Sequence, residues 1–239
     1  MFATSVAALM MLVPSAASNA QSVVWWTDGT VGGNGSITGA LAARPWLTAY
    51  AAPSQSDFNN ALLSGSYQLA IFGEQNSWVF GSSSSEFTTF LAGGGKVLAA
   101  SWTRNYSGFA SYFGTTITSA NESSISGSGA MFASGLTSPF TLTNPGWGIF
   151  SEGYSGSESC LAAFGDGSCA AQVALTGNAL LLGGLFDTYS VPRDGELYVG
   201  NGIDYLLTET VTPEPASMVL LATGLLAIGV AGKRRRTRA

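Results

Sequence analysis

Strand-like and helix-like segments alternate along the middle of this chain, and this alternation restricts the fold more than any other feature. An apolar, aromatic run at residues 22–26 predicts a first strand. Helical apolar spacing at 58–64 precedes a strand pattern at 67–72, and a helix capped by Ser85 precedes another at 96–100. Because crossovers of this kind join parallel strands, we expect an α/β fold with a parallel sheet.

The same order continues near the end of the chain. Residues 178–182 form one more apolar run, and residues 195–207 have the spacing of a closing helix. Between them and the first units, residues 114–143 are rich in Ser, Thr and Gly. That segment is either a β-rich insertion or a loosely packed surface loop, and its alternation is too short to decide. We expect one α/β domain over residues 21–210.

The segment YQLAIFGEQNSWVFGSSSSEFTTFLAGGGKVLAAS resembles the middle of flavodoxin-like domains of the glutamine amidotransferase-like superfamily. This resemblance implies a flavodoxin-like doubly wound parallel sheet. Enzymes of that superfamily place a cysteine in the turn after a strand, with a histidine to activate it. Here Ser101 and Trp102 end the corresponding strand, and the chain has no histidine. We therefore expect a non-catalytic relative.

The N-terminus resembles a secretory signal peptide over residues 1–20. An apolar run is followed by Pro14 and by small residues, and Ser18 and Ala20 satisfy signal peptidase, so we expect cleavage between Ala20 and Gln21. A positively charged leader is absent, which points to a start codon further upstream. The alternative is a buried N-terminal helix.

The C-terminus carries an apolar stretch at 216–232 between a proline-rich segment and a basic tail at 233–239. At a rise of ~1.5 Å per residue the stretch covers roughly 26 Å, enough for a thin membrane. Basic side chains hold the tail on the cytoplasmic side, so we expect a single-pass inner-membrane anchor whose N-terminal part lies outside. These side chains are Lys233, Arg234, Arg235, Arg236 and Arg238.

Pro213, Glu214 and Pro215, followed by this apolar segment and basic tail, resemble the PEP-CTERM family of bacterial sorting signals over residues 211–239. The resemblance implies processing near these three residues by an exosortase, a membrane-embedded transpeptidase-like cysteine enzyme. It also implies delivery to the cell surface or the extracellular matrix, in hosts that produce exopolysaccharide. The alternative is an ordinary membrane anchor in which the Pro-Glu-Pro sequence is accidental.

Charge and composition exclude several classes of function. Residues 21–212 contain four basic and thirteen acidic side chains, a formal charge of −9, which repels phosphate backbones and makes nucleic acid an unsuitable partner. The absence of histidine removes Ser-His and Cys-His nucleophile pairs and the commonest zinc ligand. We expect no catalytic residues, no metal and no cofactor.

Cys160 and Cys169 are the chain's two cysteines, and they enclose a Gly165-Asp166-Gly167 turn. In an exported protein this arrangement predicts a disulfide. A redox pair would have Cys-x-x-Cys spacing, and a nucleophilic thiol would need a base.

Carboxylates raise a second hypothesis, a glycan hydrolase, although the sequence does not place any pair at a catalytic distance. The conceivable members are Glu74, Asp187 and Glu196. Acidic residues that precede glycines are interpreted as turn formers instead of calcium ligands, because no stretch supplies alternating oxygen ligands. These acidic residues are Asp28, Asp166 and Asp194.

Six tryptophans raise a third hypothesis, a carbohydrate-binding module, because aromatic faces stack on sugar rings. A patch at loop ends would use Trp25, Trp78, Trp102 and Trp147, although most tryptophans are expected in the core. Our leading hypothesis, ahead of these two, is a non-enzymatic surface or matrix protein. Its expected partners are signal peptidase, an exosortase, the membrane before processing, and extracellular polysaccharide.

Overall fold

The computed structural model describes residues 21–29, 34–75, 79–102, 108–128, 132–142, 151–186 and 192–208. Within these ranges the strands are β1 (Gln21–Thr27), β2 (Leu47–Ala51), β3 (Leu69–Glu74), β4 (Lys96–Ser101), β5 (Thr116–Ala120), β6 (Ser124–Gly127), β7 (Phe140–Thr141), β8 (Glu152–Ser155), β9 (Cys160–Phe164), β10 (Cys169–Ala174) and β11 (Ala179–Leu182). The helices are α1 (Gly35–Ala42), α2 (Gln55–Leu63), α3 (Ser84–Ala92), α4 (Phe109–Tyr112) and α5 (Pro192–Thr208), with a short 3-10 helix at Phe80–Ser82.

Five parallel strands form the centre of the fold, in the order β2-β1-β3-β4-β11. This is the 2-1-3-4-5 order of flavodoxin-like sheets. Ile71 of β3 lies opposite Leu98 of β4, which in turn lies opposite Leu180 of β11. The expected mixed α/β architecture with a parallel central sheet is therefore confirmed.

Helices cover both faces of this sheet, and alternate residues of each strand contact opposite helix layers. Ile71 and Leu98 belong to the core beneath α1 and α5. Phe72 and Val97, one residue away in each strand, belong to the core beneath α2 and α3. All four side chains are fully buried, which explains why these strands have continuous apolar sequences.

Polar contacts fix the helices at specific points. Ser54 caps α2, because its hydroxyl accepts a hydrogen bond from the Asp57 backbone N–H at 3.1 Å and donates one to the Asp57 carboxylate at 2.6 Å. Arg44, which follows α1, donates through two nitrogens to the Asp204 carboxylate of α5 at 2.7 and 2.5 Å. This bidentate pair joins the two helices of one layer.

Antiparallel strands extend the sheet beyond β11. The order continues β10-β9-β6-β7, while β8 pairs with both β10 and β5. Because β5, β6 and β7 lie within residues 114–143, the structure favours the β-rich insertion over the surface loop. Ser138-Pro139 in this segment has a cis peptide bond.

The expected cap of α3 is wrong by two positions. The helix begins at Ser84 with Ser83 as its N-cap, and Ser85 lies inside the first turn. A preceding 3-10 helix at Phe80–Ser82 already turns the chain, so the serine run enters the helix earlier than the sequence pattern indicates. No side chain caps α3.

The expected membrane segment at 216–232 lies outside the described residues. Among the helices that the structure does describe, none is both long and apolar enough to cross a membrane.

Candidate functional site

The carboxyl-terminal edge of the parallel strands is the place where doubly wound α/β folds bind ligands. At this edge β3 ends at Glu74 and β4 ends at Ser101, while Gly183 follows the end of β11. Glu152 and Tyr154 of β8 approach the same edge. We call Glu74, Ser101, Glu152 and Tyr154 the buried polar cluster, because each is no more than 1% exposed.

Glu74 occupies the centre of the buried polar cluster. One carboxylate oxygen accepts the Phe80 backbone N–H at 2.7 Å, and the other accepts the Ser101 hydroxyl at 3.1 Å. The backbone N–H of Trp102 also donates to the Glu74 carbonyl at 2.9 Å. The carboxylate thus joins the ends of β3 and β4 to the 3-10 helix at Phe80–Ser82, which follows β3 in the chain.

Glu152 and Tyr154 reach the cluster from the antiparallel part of the sheet. The Glu152 N–H donates to the Gly183 carbonyl at 2.7 Å, which holds β8 against the end of β11. Burial raises the pKa of the Tyr154 phenol well above its usual range, and the carboxylates of Glu152 and Glu74 raise this pKa further. Tyr154 is therefore neutral at physiological pH and cannot act as a base.

Sequence analysis named Glu74 as a conceivable hydrolase carboxylate and Ser101 as the end of a strand. It named neither Glu152 nor Tyr154. The segment Glu152–Ser155 contains a glutamate and a glycine, both unfavourable in buried strands, so no local pattern marked it as β8. The spacing of two between Glu152 and Tyr154 was the available signal, because such residues share one face of a strand.

The other carboxylates proposed from the sequence are placed as follows. Asp28 accepts the Gln75 backbone N–H at 2.6 Å and so connects the ends of β1 and β3. Asp194, in the first turn of α5, accepts the Thr137 N–H at 3.2 Å. Glu196 lies against Gly39 of α1, where a Cβ atom would come within 2.5 Å of its carboxylate carbon. Asp187 lies outside the described residues.

A cleft of about 170 Å³ opens at the opposite edge of the sheet, between the end of β10 and the segments around Thr115 and Glu158. The Glu158 carboxylate accepts the backbone N–H groups of Thr176 and Gly177 at 2.7 and 3.0 Å. Thr176 has a positive φ of 57°, which is unfavourable for a β-branched residue. Glu158 thereby stabilises the turn between β10 and β11.

The expected disulfide is present: Cys160 and Cys169 are bonded, with Cα atoms 5.7 Å apart. They begin β9 and β10, and the predicted turn closes this hairpin. Asp166 in the turn accepts the Ser168 hydroxyl at 2.6 Å and the Ser168 N–H at 2.9 Å. These two hydrogen bonds hold the pKa of Asp166 below its usual value. Asp166 thus serves turn formation, as its sequence context indicated.

Removal of this disulfide is expected to lower the free energy of unfolding by about 2 to 3 kcal/mol, because a closed loop restricts the unfolded chain. The measurement is urea unfolding of the Cys160→Ala, Cys169→Ala double variant, with and without reductant. Reductant should destabilise the native chain to the level of the double variant and leave the variant unchanged. A native chain that is insensitive to reductant after complete reduction would contradict this expectation.

The tryptophans do not form the expected loop-end patch within the described residues. Trp25 and Trp102 are partly buried and pack against the core. Trp26 contacts the Phe58 and Phe72 rings at 6.2 and 5.9 Å. Trp46, which lies before the outermost parallel strand, is 45% exposed. Trp78 and Trp147 lie outside the described residues.

The residues that sequence analysis assigned to processing and sorting also lie outside the described residues, with one exception. Gln21, the expected first residue after cleavage, begins β1. Ala20 and the entire C-terminal segment are not described. The described part of the chain therefore starts at the expected cleavage point and ends at Thr208, shortly before the proline-rich segment.

Solved structures that are similar to this chain include the following two. One is a protein proposed as a GMP synthase subunit from Thermoplasma acidophilum, with 9% identity and a TM-score of 0.49 over 79% of this chain and 97% of that chain. The other is a glutamine amidotransferase from Thermotoga maritima, with 10% identity and a TM-score of 0.47 over 87% of this chain and 95% of that chain.

No curated protein is significantly similar to the chain. A family model does match its C-terminus: residues 211–236 match the PEP-CTERM protein-sorting motif. The match includes Pro213, Glu214 and Pro215 together with the apolar segment. This chain therefore carries the PEP-CTERM sorting signal of exported proteins that are sorted at the cell envelope.

Proposed function

We propose that this chain is a non-catalytic protein of the cell surface or extracellular matrix, cleaved by a signal peptidase and then by an exosortase. The sorting motif supplies the exosortase site near Pro213–Pro215. The apolar segment at 216–232 holds the chain in the inner membrane until that cleavage. The released body then resides among extracellular polysaccharides.

The position of the folded body supports this processing. The first strand begins at Gln21 and the last helix ends at Thr208. Cleavage at both expected points therefore removes none of the described strands or helices. A protein processed at both ends requires this arrangement, because a cut within β1 or α5 would remove part of the core.

The observation that carries the non-catalytic assignment is that the Glu74 carboxylate forms hydrogen bonds within the protein. This fully buried carboxylate stands at the sheet edge where an enzyme of this architecture would hold its reactive groups, yet both oxygens bind groups of the protein. Ser101, its neighbour, is 1% exposed and donates to Glu74. A serine nucleophile would need a base that accepts its proton, and the chain contains no histidine.

The proposal is tested by mass spectrometry of both termini, on protein recovered from the envelope and medium of the native organism. We expect a chain that begins at Gln21 and ends near Pro213–Pro215. Replacement Glu214→Gln should leave most of the chain with its tail intact through Ala239, because the central residue of the motif is changed. The matched control Glu209→Gln lies just before the motif and should be processed normally.

Two results would contradict the proposal. A native chain that retains its tail through Ala239 would indicate a permanent membrane anchor in place of sorting by an exosortase. Reproducible hydrolysis of a polysaccharide by the purified protein, lost in Glu74→Gln while the protein stays folded, would identify the carboxylate hydrolase instead. The first result concerns sorting and the second concerns catalysis, so the two parts of the proposal fail separately.

A further inference from the structure

β2 is an outermost strand of the sheet among the described residues. Within these ranges it pairs with β1 and with no other strand. Proteins usually protect such edges with lysines, prolines or bulges within the strand. The strand Leu47–Ala51 contains none of these, its register with β1 is regular, and no charged residue occurs from Pro45 to Ser56.

The direction of the backbone groups shows which residues of β2 can accept another strand. The Ala52 N–H donates to the Trp25 carbonyl of β1 at 2.9 Å. Because backbone groups alternate in direction along a strand, Tyr50 and Thr48 also point towards β1. The N–H and C=O groups of Ala49 and Ala51 therefore point outward. The Leu47 carbonyl does so too, whereas the Leu47 N–H donates to Arg44 O at 2.9 Å.

Two large apolar side chains are exposed in β2 or directly before it. These are Trp46 and Tyr50, with 45% and 39% exposure. Tyr50 belongs to β2, and its ring stacks on Tyr67 with ring centres 6.2 Å apart and an interplanar angle of 22°. The nearest cation in sequence, Arg44, is paired with Asp204.

We propose that two copies of this chain associate by antiparallel pairing of β2 with β2, so that the central sheet continues from one copy into the other. A two-fold axis at Ala49 places Ala49 opposite its own copy, and Leu47 opposite Ala51. In this register the two Ala49 residues exchange N–H···O=C hydrogen bonds, and each Ala51 N–H donates to the Leu47 carbonyl of the other copy. Thr48 lies opposite Tyr50, a β-branched residue against an aromatic ring, which is a favourable cross-strand pair.

The distribution of charge limits where two copies can meet. Residues 21–212 carry a formal charge of −9, which opposes the association of two copies, and this repulsion is weakest at a contact surface that lacks charged side chains. The uncharged edge from Pro45 to Ser56 meets this requirement on both sides of the axis at once. This inference is independent of the proposed sorting and of the non-catalytic role.

Cysteine cross-linking tests the register. In a hydrogen-bonded antiparallel pair the two Cα atoms are about 5.5 Å apart, within disulfide range. We expect Ala49→Cys in the full chain, purified in mild detergent, to form a disulfide-linked dimer under oxidising conditions. The matched control Ala51→Cys lies in the same strand but faces Leu47 of the other copy, so it should give at least about tenfold less dimer.

Light scattering tests the association itself. The native chain should be a dimer at micromolar concentration, and Ala49→Pro should be a monomer. Proline removes the outward N–H of Ala49 but no bond to β1, so the variant should keep the native circular dichroism spectrum. A native monomer, a dimer that persists in Ala49→Pro, or equal cross-linking at positions 49 and 51 would overturn the proposal. A monomer whose tryptophan fluorescence is quenched by polysaccharide would assign this surface to a glycan instead.

Discussion

Replacement of Phe72 by alanine is expected to lower the free energy of unfolding by about 3 to 5 kcal/mol, the largest effect of any substitution considered for this protein. Phe72 is fully buried in β3, and its ring is surrounded by other aromatic rings at centre-to-centre distances of 5.4 to 6.4 Å. These rings belong to Trp26, Phe58, Phe80, Phe87 and Phe109. Alanine leaves a cavity that no neighbour fills, because the surrounding rings come from β1, three helices and the 3-10 turn.

Urea unfolding followed by tryptophan fluorescence measures this effect, since Trp26 contacts the Phe72 ring directly. Phe72→Leu is the matched variant and should cost about 1 to 2 kcal/mol, because it retains most of the apolar volume. Tyr67→Ala removes an aromatic ring that is only partly buried, and it should cost about 1 kcal/mol or less. The interpretation of this cluster as the centre of the core would be wrong if Phe72→Ala cost no more than Tyr67→Ala.

Replacement of Glu74 by methionine is expected to destabilise the protein by about 3 kcal/mol. The substitution leaves the buried Phe80 N–H without its acceptor and removes the partner of the Ser101 hydroxyl. Glu74→Gln retains an acceptor for Phe80, and its amide group can donate to the serine oxygen. It should therefore cost only about 1 kcal/mol.

The same urea unfolding measurement separates the two Glu74 variants. A large difference between methionine and glutamine shows that the carboxylate has a structural role, as its hydrogen bonds indicate. Equal stability of the native chain and Glu74→Met would show that these hydrogen bonds contribute little. In that case Glu74 would be retained for a reason other than stability, and the non-catalytic proposal would lose its main support.

The elements that could be predicted from the sequence share a local pattern. The strands β1, β3, β4 and β11 are apolar runs bounded by turn residues, and α2, α3 and α5 have helical apolar spacing. The hairpin between Cys160 and Cys169 was also predictable, because two cysteines around a Gly-Asp-Gly turn allow few arrangements. In each case residues close together in the sequence determine the structure.

The elements that were not predicted depend on distant partners. The strand β2 is short and mostly exposed, and it is defined by its pairing with β1. The strand β8 contains a buried glutamate, which a local pattern assigns to a surface position. The helix α1 contains two glycines and has no side-chain cap, so its propensity is weak and its contact with α5 stabilises it.

The residues of the buried polar cluster also divide into those that a local pattern marks and those that depend on distant partners. Glu74 and Ser101 were recognisable because each follows an apolar run at the end of a strand. Glu152 and Tyr154 were not, because their proximity to Glu74 results from β8 pairing with β10 and β5, far away in the sequence. Both oxygens of Glu74 bind groups of the protein, which also required coordinates to establish.

The sequence by itself determined the sorting signal, the disulfide and the alternation of strands with helices, because each is encoded by residues within a short segment. Only the tertiary structure decided the order of the strands, the antiparallel extension beyond β11 and the position of β2 at an edge of the described sheet. Strand order arises from hydrogen bonds and packing between segments that are distant in sequence, and no local pattern specifies which of those contacts has the lowest free energy.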